Sequence, residues 1–182
     1  MALVESNNIK LGQKMPAFEL TDPNETLYSL DSLMGKKGLL VIFTCNHCPY
    51  AIAIWSRLIR LAKHIKLLDV NTVAVNPNIN PSYPDDSPEN MLKKITEWQI
   101  PFPYLVDQNQ QVAKAYQAEC TPDLYFLNEN SELIYHGRLD DNWQNELAVK
   151  SEELKLAIET YCESKELIIN QKPSMGCSIK WL

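Results

Sequence analysis

A buried strand that leads through two closely spaced cysteines into a helix is the feature that most constrains this chain. Residues 39–43 read Leu-Leu-Val-Ile-Phe, a continuous apolar run typical of a strand that is buried on both faces. Over residues 50–66 the apolar positions recur at helical spacing instead. Cys45 and Cys48 lie between these two patterns, so the sequence predicts two thiols at a strand–helix junction. Pro49 fits the first turn of that helix, where a missing N–H costs little.

The chain after this junction alternates strands with helices and then becomes antiparallel. A second buried strand over 69–75 would complete a parallel βαβ unit with the first. Residues 76–88 are rich in proline and predict a loop, and Ser87-Pro88 predicts the start of a helix that ends near Trp98. The remaining predicted elements are a strand over 102–106, a helix over 110–116, an antiparallel pair over 124–127 and 133–136, and a helix over 152–163.

Composition and charge argue against nucleic-acid binding and against a membrane-spanning segment. The chain has 182 residues, with 17 Lys plus Arg against 23 Asp plus Glu, so its net charge is −6. An acidic balance argues against nonspecific nucleic-acid binding, which needs a basic face. No apolar run approaches the roughly 18 residues of a membrane span, and the first ten residues do not read as a secretory signal. We therefore expect a soluble, cytoplasmic protein.

We expect one domain over residues 1–182, with a β extension over 1–35 and an irregular tail over 171–182. The chain contains five cysteines, an odd number, and it is too long to depend on a disulfide framework. In a reducing compartment such cysteines are catalytic, metal-binding or simply buried. Only Cys45 and Cys48 are close in sequence, and a zinc ribbon would need a second such pair.

The order of these elements resembles the thioredoxin fold, an α/β fold with a central mixed sheet flanked by helices. The specific marker is Thr121-Pro122, because a cis-proline precedes the corresponding strand in that superfamily and faces the paired cysteines. A narrower resemblance, to the peroxiredoxin-like redoxin family of AhpC/TSA type, is carried by four segments: Asn46-His47-Cys48-Pro49-Tyr50, Pro101-Phe102-Pro103-Tyr104-Leu105-Val106-Asp107, Cys120-Thr121-Pro122-Asp123 and Gly176-Cys177-Ser178-Ile179-Lys180-Trp181.

This resemblance implies thiol–disulfide exchange. Cys45 is expected to lie nearer the helix end and to be more exposed, so it would attack, and Cys48 would resolve the mixed disulfide. The helix N-terminus and a protonated His47 would lower the pKa of the Cys45 thiol. Thr121 and Pro122 would present the substrate, with Thr121 offering its backbone to an incoming chain as a short β-pairing. No organic cofactor is implied, and reducing equivalents would come from a dithiol protein or glutathione.

Two other functions stay open. The first is a thiol peroxidase, a peroxiredoxin-like antioxidant that would use Cys45 or Cys48, although His47 stands where peroxiredoxins carry the cysteine of a Thr-x-x-Cys pattern. The second is a metal-binding or metallochaperone module that would use Cys45, His47 and Cys48, with Cys177 as a further ligand. Cys120 and Cys177 are possible accessory thiols; their alternatives are a small buried residue and a packed anchor of the tail.

Overall fold

The structure is a computed structural model, and it describes residues 3–182. The strands are β1 (Leu3–Glu5), β2 (Glu19–Thr21), β3 (Leu27–Ser29), β4 (Gly38–Phe43), β5 (Val70–Asn76), β6 (Tyr104–Val106), β7 (Cys120–Thr121), β8 (Asp123–Leu127), β9 (Leu133–Gly137) and β10 (Met175–Ser178). The helices are α1 (Leu30–Leu33), α2 (Pro49–Lys66), α3 (Pro88–Trp98), α4 (Gln111–Ala115) and α5 (Glu153–Ser164). Short 3-10 turns lie at Pro84–Asp86 and Glu146–Ala148.

Seven strands form a mixed sheet in the order β3-β2-β6-β5-β4-β8-β9. At its centre β4 runs parallel to β5, with Val41 opposite Val73, and antiparallel to β8, with Val41 opposite Tyr125. Helices cover the sheet, so the predicted fold class, a central mixed sheet flanked by helices, is confirmed. Among the helices of residues 3–182, none combines the length and the apolar character that crossing a bilayer requires.

Both faces of β4 are buried, and this explains its continuous apolar sequence. Leu40 and Ile42 pack on one face with Leu58 of α2. Val41 and Phe43 pack on the opposite face, in a separate apolar cluster. Because successive residues of a strand point to opposite faces, a strand covered on both sides needs apolar residues at every position.

The helix start at Ser87-Pro88 is confirmed. Pro88 is the first residue of α3, and the Ser87 hydroxyl accepts a hydrogen bond from the backbone N–H of Asn90 at 3.3 Å. That bond satisfies one of the N–H groups that the first turn leaves free.

The prediction of an irregular tail over 171–182 is wrong for its middle part. Residues 175–178 form β10, which lies between β1 and β7 in a separate three-stranded antiparallel sheet. Cys177 is opposite Leu3 on one side and Thr121 on the other. Gly176 is needed for this pairing because a Cβ atom there would overlap the Thr121 carbonyl group.

Candidate active site

The two closely spaced cysteines lie between the C-terminal end of β4 and the N-terminal end of α2. Cys48 is the N-cap residue of α2, in an extended conformation with φ −74° and ψ 122°. We expected Cys45 to lie nearer the helix end, and this is wrong: the helix begins at Pro49, directly after Cys48. The cause is Pro49 itself, since a proline pushes the preceding residue out of the helical region and so keeps Cys48 outside the helix.

Neither cysteine is exposed. Cys45 and Cys48 both have 0% of their surface accessible, so the expected greater exposure of Cys45 is not found. Together with Ala51 and Cys177 they form a small buried cluster of their own, and Tyr50 packs against it. The site is therefore closed, and a reaction partner can reach the sulfur atoms only after part of this cover moves.

The loop before β8 contacts both thiols. The Thr121–Pro122 peptide bond is cis. Sγ of Cys45 lies 3.4 Å from Oγ1 of Thr121, and the Cys48 thiol donates to the Thr121 carbonyl oxygen at 3.0 Å. One residue thus holds both sulfur atoms against the cis-proline loop.

The two thiols differ in acidity. Burial raises the pKa of Cys45, and the nearby Asp86 carboxylate raises it further. A hydrogen bond from Cys45 lowers the pKa of Cys48, and the backbone of Ala51 in the first turn of α2 contributes to this. Cys48 thus combines a lowered pKa with a position at the positive end of the helix.

His47 is held by a residue that the sequence did not reveal. Its Nδ1 contacts the carboxylate of Asp86, and its ring stacks on Tyr83 with centroids 5.1 Å apart. Asp86 is fully buried, and it also accepts hydrogen bonds from the backbone N–H of Asn46 at 2.6 Å and from Nδ2 of Asn76 at 3.1 Å. The loop over 76–88 offered only one signal, two adjacent acidic residues directly before a helix cap.

Asn46, the other residue between the cysteines, is fixed as well. Its side-chain amide donates to the Asp85 carbonyl at 2.8 Å, and its Oδ1 accepts from the Tyr104 hydroxyl at 3.1 Å. Burial raises the pKa of Tyr104, so this hydroxyl keeps its proton and stays a donor. Both residues between the two cysteines, Asn46 and His47, are therefore held in place by their neighbours.

Three residues of the site could hold a metal ion. The ligand atoms of Cys45, His47 and Asp86 all lie within 4.8 Å of one another. This group differs from the predicted one of Cys45, His47 and Cys48, because Asp86 takes the place of Cys48. Nε2 of His47 is buried and has no hydrogen-bond partner within the part of the chain that the structure describes.

Of the two possible accessory thiols, the structure brings only Cys177 to the pair. Cys177 is directly opposite Thr121 across the strands and belongs to the same buried cluster as Cys45 and Cys48. Cys120 pairs with the next residue along β10, so its side chain lies on the other face, and its Sγ is 3.6 Å from the Pro122 carbonyl oxygen. Burial raises the pKa of Cys120.

The sequence matches the model of the AhpC/TSA family over residues 11–136. The structure is similar to that of an uncharacterized conserved protein from Geobacillus kaustophilus, with a TM-score of 0.95 and 41% identity over 100% of this chain and 97% of that one. No curated protein sequence matches the chain.

Two more distant structures share the fold. One is a thiol:disulfide interchange protein from Bacteroides sp., with a TM-score of 0.67 and 16% identity over 87% of this chain and 93% of that one. The other is a peroxidoxin from Mycobacterium tuberculosis, with a TM-score of 0.63 and 15% identity over 87% of this chain and 100% of that one. At these identities the likeness shows the thioredoxin-like fold alone.

Proposed function

The chain belongs to the AhpC/TSA family, and on that premise we propose that it is a thiol–disulfide oxidoreductase with Cys45 and Cys48 as its redox pair. One observation carries the proposal: two thiols of one buried cluster lie at the N-terminus of α2, and both contact Thr121 beside the cis-proline. Exchange needs one sulfur that ionises readily and a second one within bonding reach. This arrangement supports both requirements.

The order of the two steps is part of the proposal. The sequence assigned the attack to Cys45, but the position of Cys48 as the N-cap residue of α2, together with its lowered pKa, supports the opposite order. The Cys48 thiolate attacks one sulfur of a substrate disulfide, an S–S bond forms, and the other substrate sulfur leaves as a thiolate. Cys45 then attacks Sγ of Cys48, the Cys45–Cys48 bond forms, and the Cys45 proton passes to the second departing sulfur. A dithiol protein or glutathione in a reducing compartment such as the cytoplasm would restore the dithiol.

A redox titration in glutathione buffers tests the proposal. Metal-free protein is equilibrated at each potential and unfolded in acid, and its free thiols are then alkylated and mapped by mass spectrometry. We expect Cys45 and Cys48 to interconvert as one two-electron couple. A midpoint of about −120 mV would indicate an oxidant, and a midpoint of about −270 mV would indicate a reductase. A pair that never closes at any potential would overturn the proposal.

The order of attack is tested separately, in chains that lack Cys177. With oxidised glutathione, Cys45→Ser/Cys177→Ser is expected to hold glutathione on Cys48. The matched variant Cys48→Ser/Cys177→Ser is expected to hold little on Cys45, because burial keeps that thiol protonated. The reverse result would restore Cys45 as the attacking residue.

Peroxidase activity is a second candidate, favoured by membership of the AhpC/TSA family. His47 counts against it, since it occupies the place of the peroxidatic cysteine in the pattern that starts at Thr44. Stoichiometric hydrogen peroxide distinguishes the two: loss of two thiols per chain within seconds would favour a peroxidase, and slow loss would favour exchange.

Metal binding is a third candidate, favoured by the closeness of Cys45, His47 and Asp86. Thiolate and imidazole ligands suit zinc or copper. Purified protein that carries one equivalent of either metal per chain, and loses it in Asp86→Ala, would favour this function. Metal-free protein with a reversible Cys45–Cys48 disulfide would exclude it as the main function.

A further inference from the structure

The edge of the cis-proline loop is already paired with a strand of the same chain. We expected the backbone of Thr121 to be free for an incoming substrate, but Thr121 is fully buried and lies opposite Cys177 of β10. A strand of this chain therefore occupies the place beside Thr121 that we expected an incoming substrate strand to take. The N-terminal strand β1 pairs with the other side of β10 and holds it there.

The contacts of Cys177 are those of a reaction partner. It packs in the same buried cluster as Cys45 and Cys48, and it lies opposite Thr121, whose carbonyl oxygen accepts the Cys48 thiol. Cys48 thus has one thiol neighbour within its own segment and a second on β10. The backbone of β10 can lie this close to Thr121 because Gly176, next to Cys177, has no side chain that would overlap the Thr121 carbonyl group.

We propose that Cys177 is a third redox thiol, the chain's own exchange partner for Cys48. The proposal rests on the proposed function. After the redox pair has closed, Cys177 attacks Sγ of Cys48, a Cys48–Cys177 bond forms, and Cys45 leaves with the proton that Cys177 gives up. No electrons are gained or lost in this step, because one disulfide replaces another. The oxidising equivalent is then held in a disulfide that links Cys48 to β10, the strand that pairs with Thr121.

Cys120 gives the matched control. It lies on β7 next to Thr121 and is buried like Cys48 and Cys177, yet its side chain points to the opposite face. If any buried thiol near the pair could react with Cys48, Cys120 would serve as well as Cys177. If the reaction needs a thiol on the same face as Cys48, only Cys177 of these two can take part.

The test uses the full chain with Cys45→Ser, which leaves Cys48 without its first partner. Oxidised glutathione is added, and the products are mapped by mass spectrometry. We expect a Cys48–Cys177 disulfide in Cys45→Ser and in Cys45→Ser/Cys120→Ser. In Cys45→Ser/Cys177→Ser we expect the Cys48–glutathione adduct to last about 100-fold longer, because an oriented internal thiol reacts far faster than one from solution. Circular dichroism verifies that each variant is folded.

The outcomes separate this proposal from the proposed function. Equal adduct lifetimes in Cys45→Ser and Cys45→Ser/Cys177→Ser would overturn the role of Cys177, even where the wild-type chain closes Cys45–Cys48. A Cys48–Cys177 disulfide in Cys45→Ser, from a wild-type chain that never closes Cys45–Cys48, would keep the role of Cys177 and overturn the redox pair. Absence of any adduct or disulfide on Cys48 in all variants would overturn both.

Discussion

Gly176→Ala tests directly how β10 reaches the thiols. A Cβ atom at this position would lie 2.6 Å from the Thr121 carbonyl carbon and closer still to its oxygen. Carbon atoms in contact are separated by about 3.5 Å, so one of the two backbones must withdraw by about 1 Å. Both are strand backbones, and the Thr121 carbonyl also accepts the Cys48 thiol, so a flexible side chain cannot absorb the change.

The size of the effect follows from this displacement. Overpacking of this kind costs about 1–3 kcal/mol of unfolding free energy. For a chain of this length each kcal/mol corresponds to about 2–4 °C in Tm, so we expect Tm to fall by about 2–12 °C. A misplacement of about 1 Å can slow a reaction about 100-fold, so Cys48–Cys177 closure in the Cys45→Ser chain should slow by that factor.

The assay compares two glycines with a similar steric constraint. A Cβ atom at Gly35 would lie 2.5 Å from the Asp69 carbonyl oxygen, at the end of β4 remote from the cysteines. Gly35→Ala should therefore lower Tm in thermal unfolding to a similar extent without slowing the closure of Cys48–Cys177. An unchanged Tm in Gly176→Ala, or equal slowing of closure in the two variants, would refute the role of Gly176 in bringing β10 to the thiols.

Three further predictions concern buried polar groups and thiols. Arg57 donates to the Asp140 carboxylate at 2.5 Å in a buried ion pair, so Arg57→Met should cost about 3–5 kcal/mol in urea unfolding at pH 7. Burial raises the pKa of Asp140, and the Arg57 charge lowers it. Without Arg57 the folded chain therefore takes up a proton on Asp140 more readily, so the unfolding free energy lost in Arg57→Met should become smaller as pH falls. Tyr104→Phe removes the hydroxyl that donates to Asn46 and should cost about 1–3 kcal/mol in the same assay; an unchanged unfolding midpoint would contradict this. Cys120→Ser should leave the midpoint of the glutathione titration unchanged, and a shifted midpoint would show that this thiol takes part.

The parts of the fold that depend on local pattern could be predicted from the sequence. The strand β4 was predicted because its covered faces require an unbroken apolar run, and α3 because its cap residue and first-turn proline are adjacent. The position of Cys48 outside the helix also had a local signal in Pro49, because a proline disfavours the helical conformation of the residue before it.

The cis-proline beside the cysteines was predicted from its motif, but distant contacts that no motif marks could not be predicted. β10 is four residues long, and its partners on β1 and β7 lie far away in sequence. Its glycine is a turn signal by local rules, and only the closeness of the Thr121 backbone gives it another meaning. Asp86 is likewise an ordinary acidic loop residue until the fold brings it to His47.

The complete burial of Cys45 and Cys48 has a consequence for measuring local opening of the chain. An alkylating reagent cannot reach a thiol without accessible surface, so modification must wait for a fluctuation that uncovers it. When such openings close again faster than the reagent reacts, each tenfold slowing relative to a free thiol corresponds to about 1.4 kcal/mol of opening free energy. Alkylation rates of the reduced chain therefore measure the free energy of the local opening that uncovers these cysteines, just as exchange rates of protected amides measure local opening in hydrogen exchange.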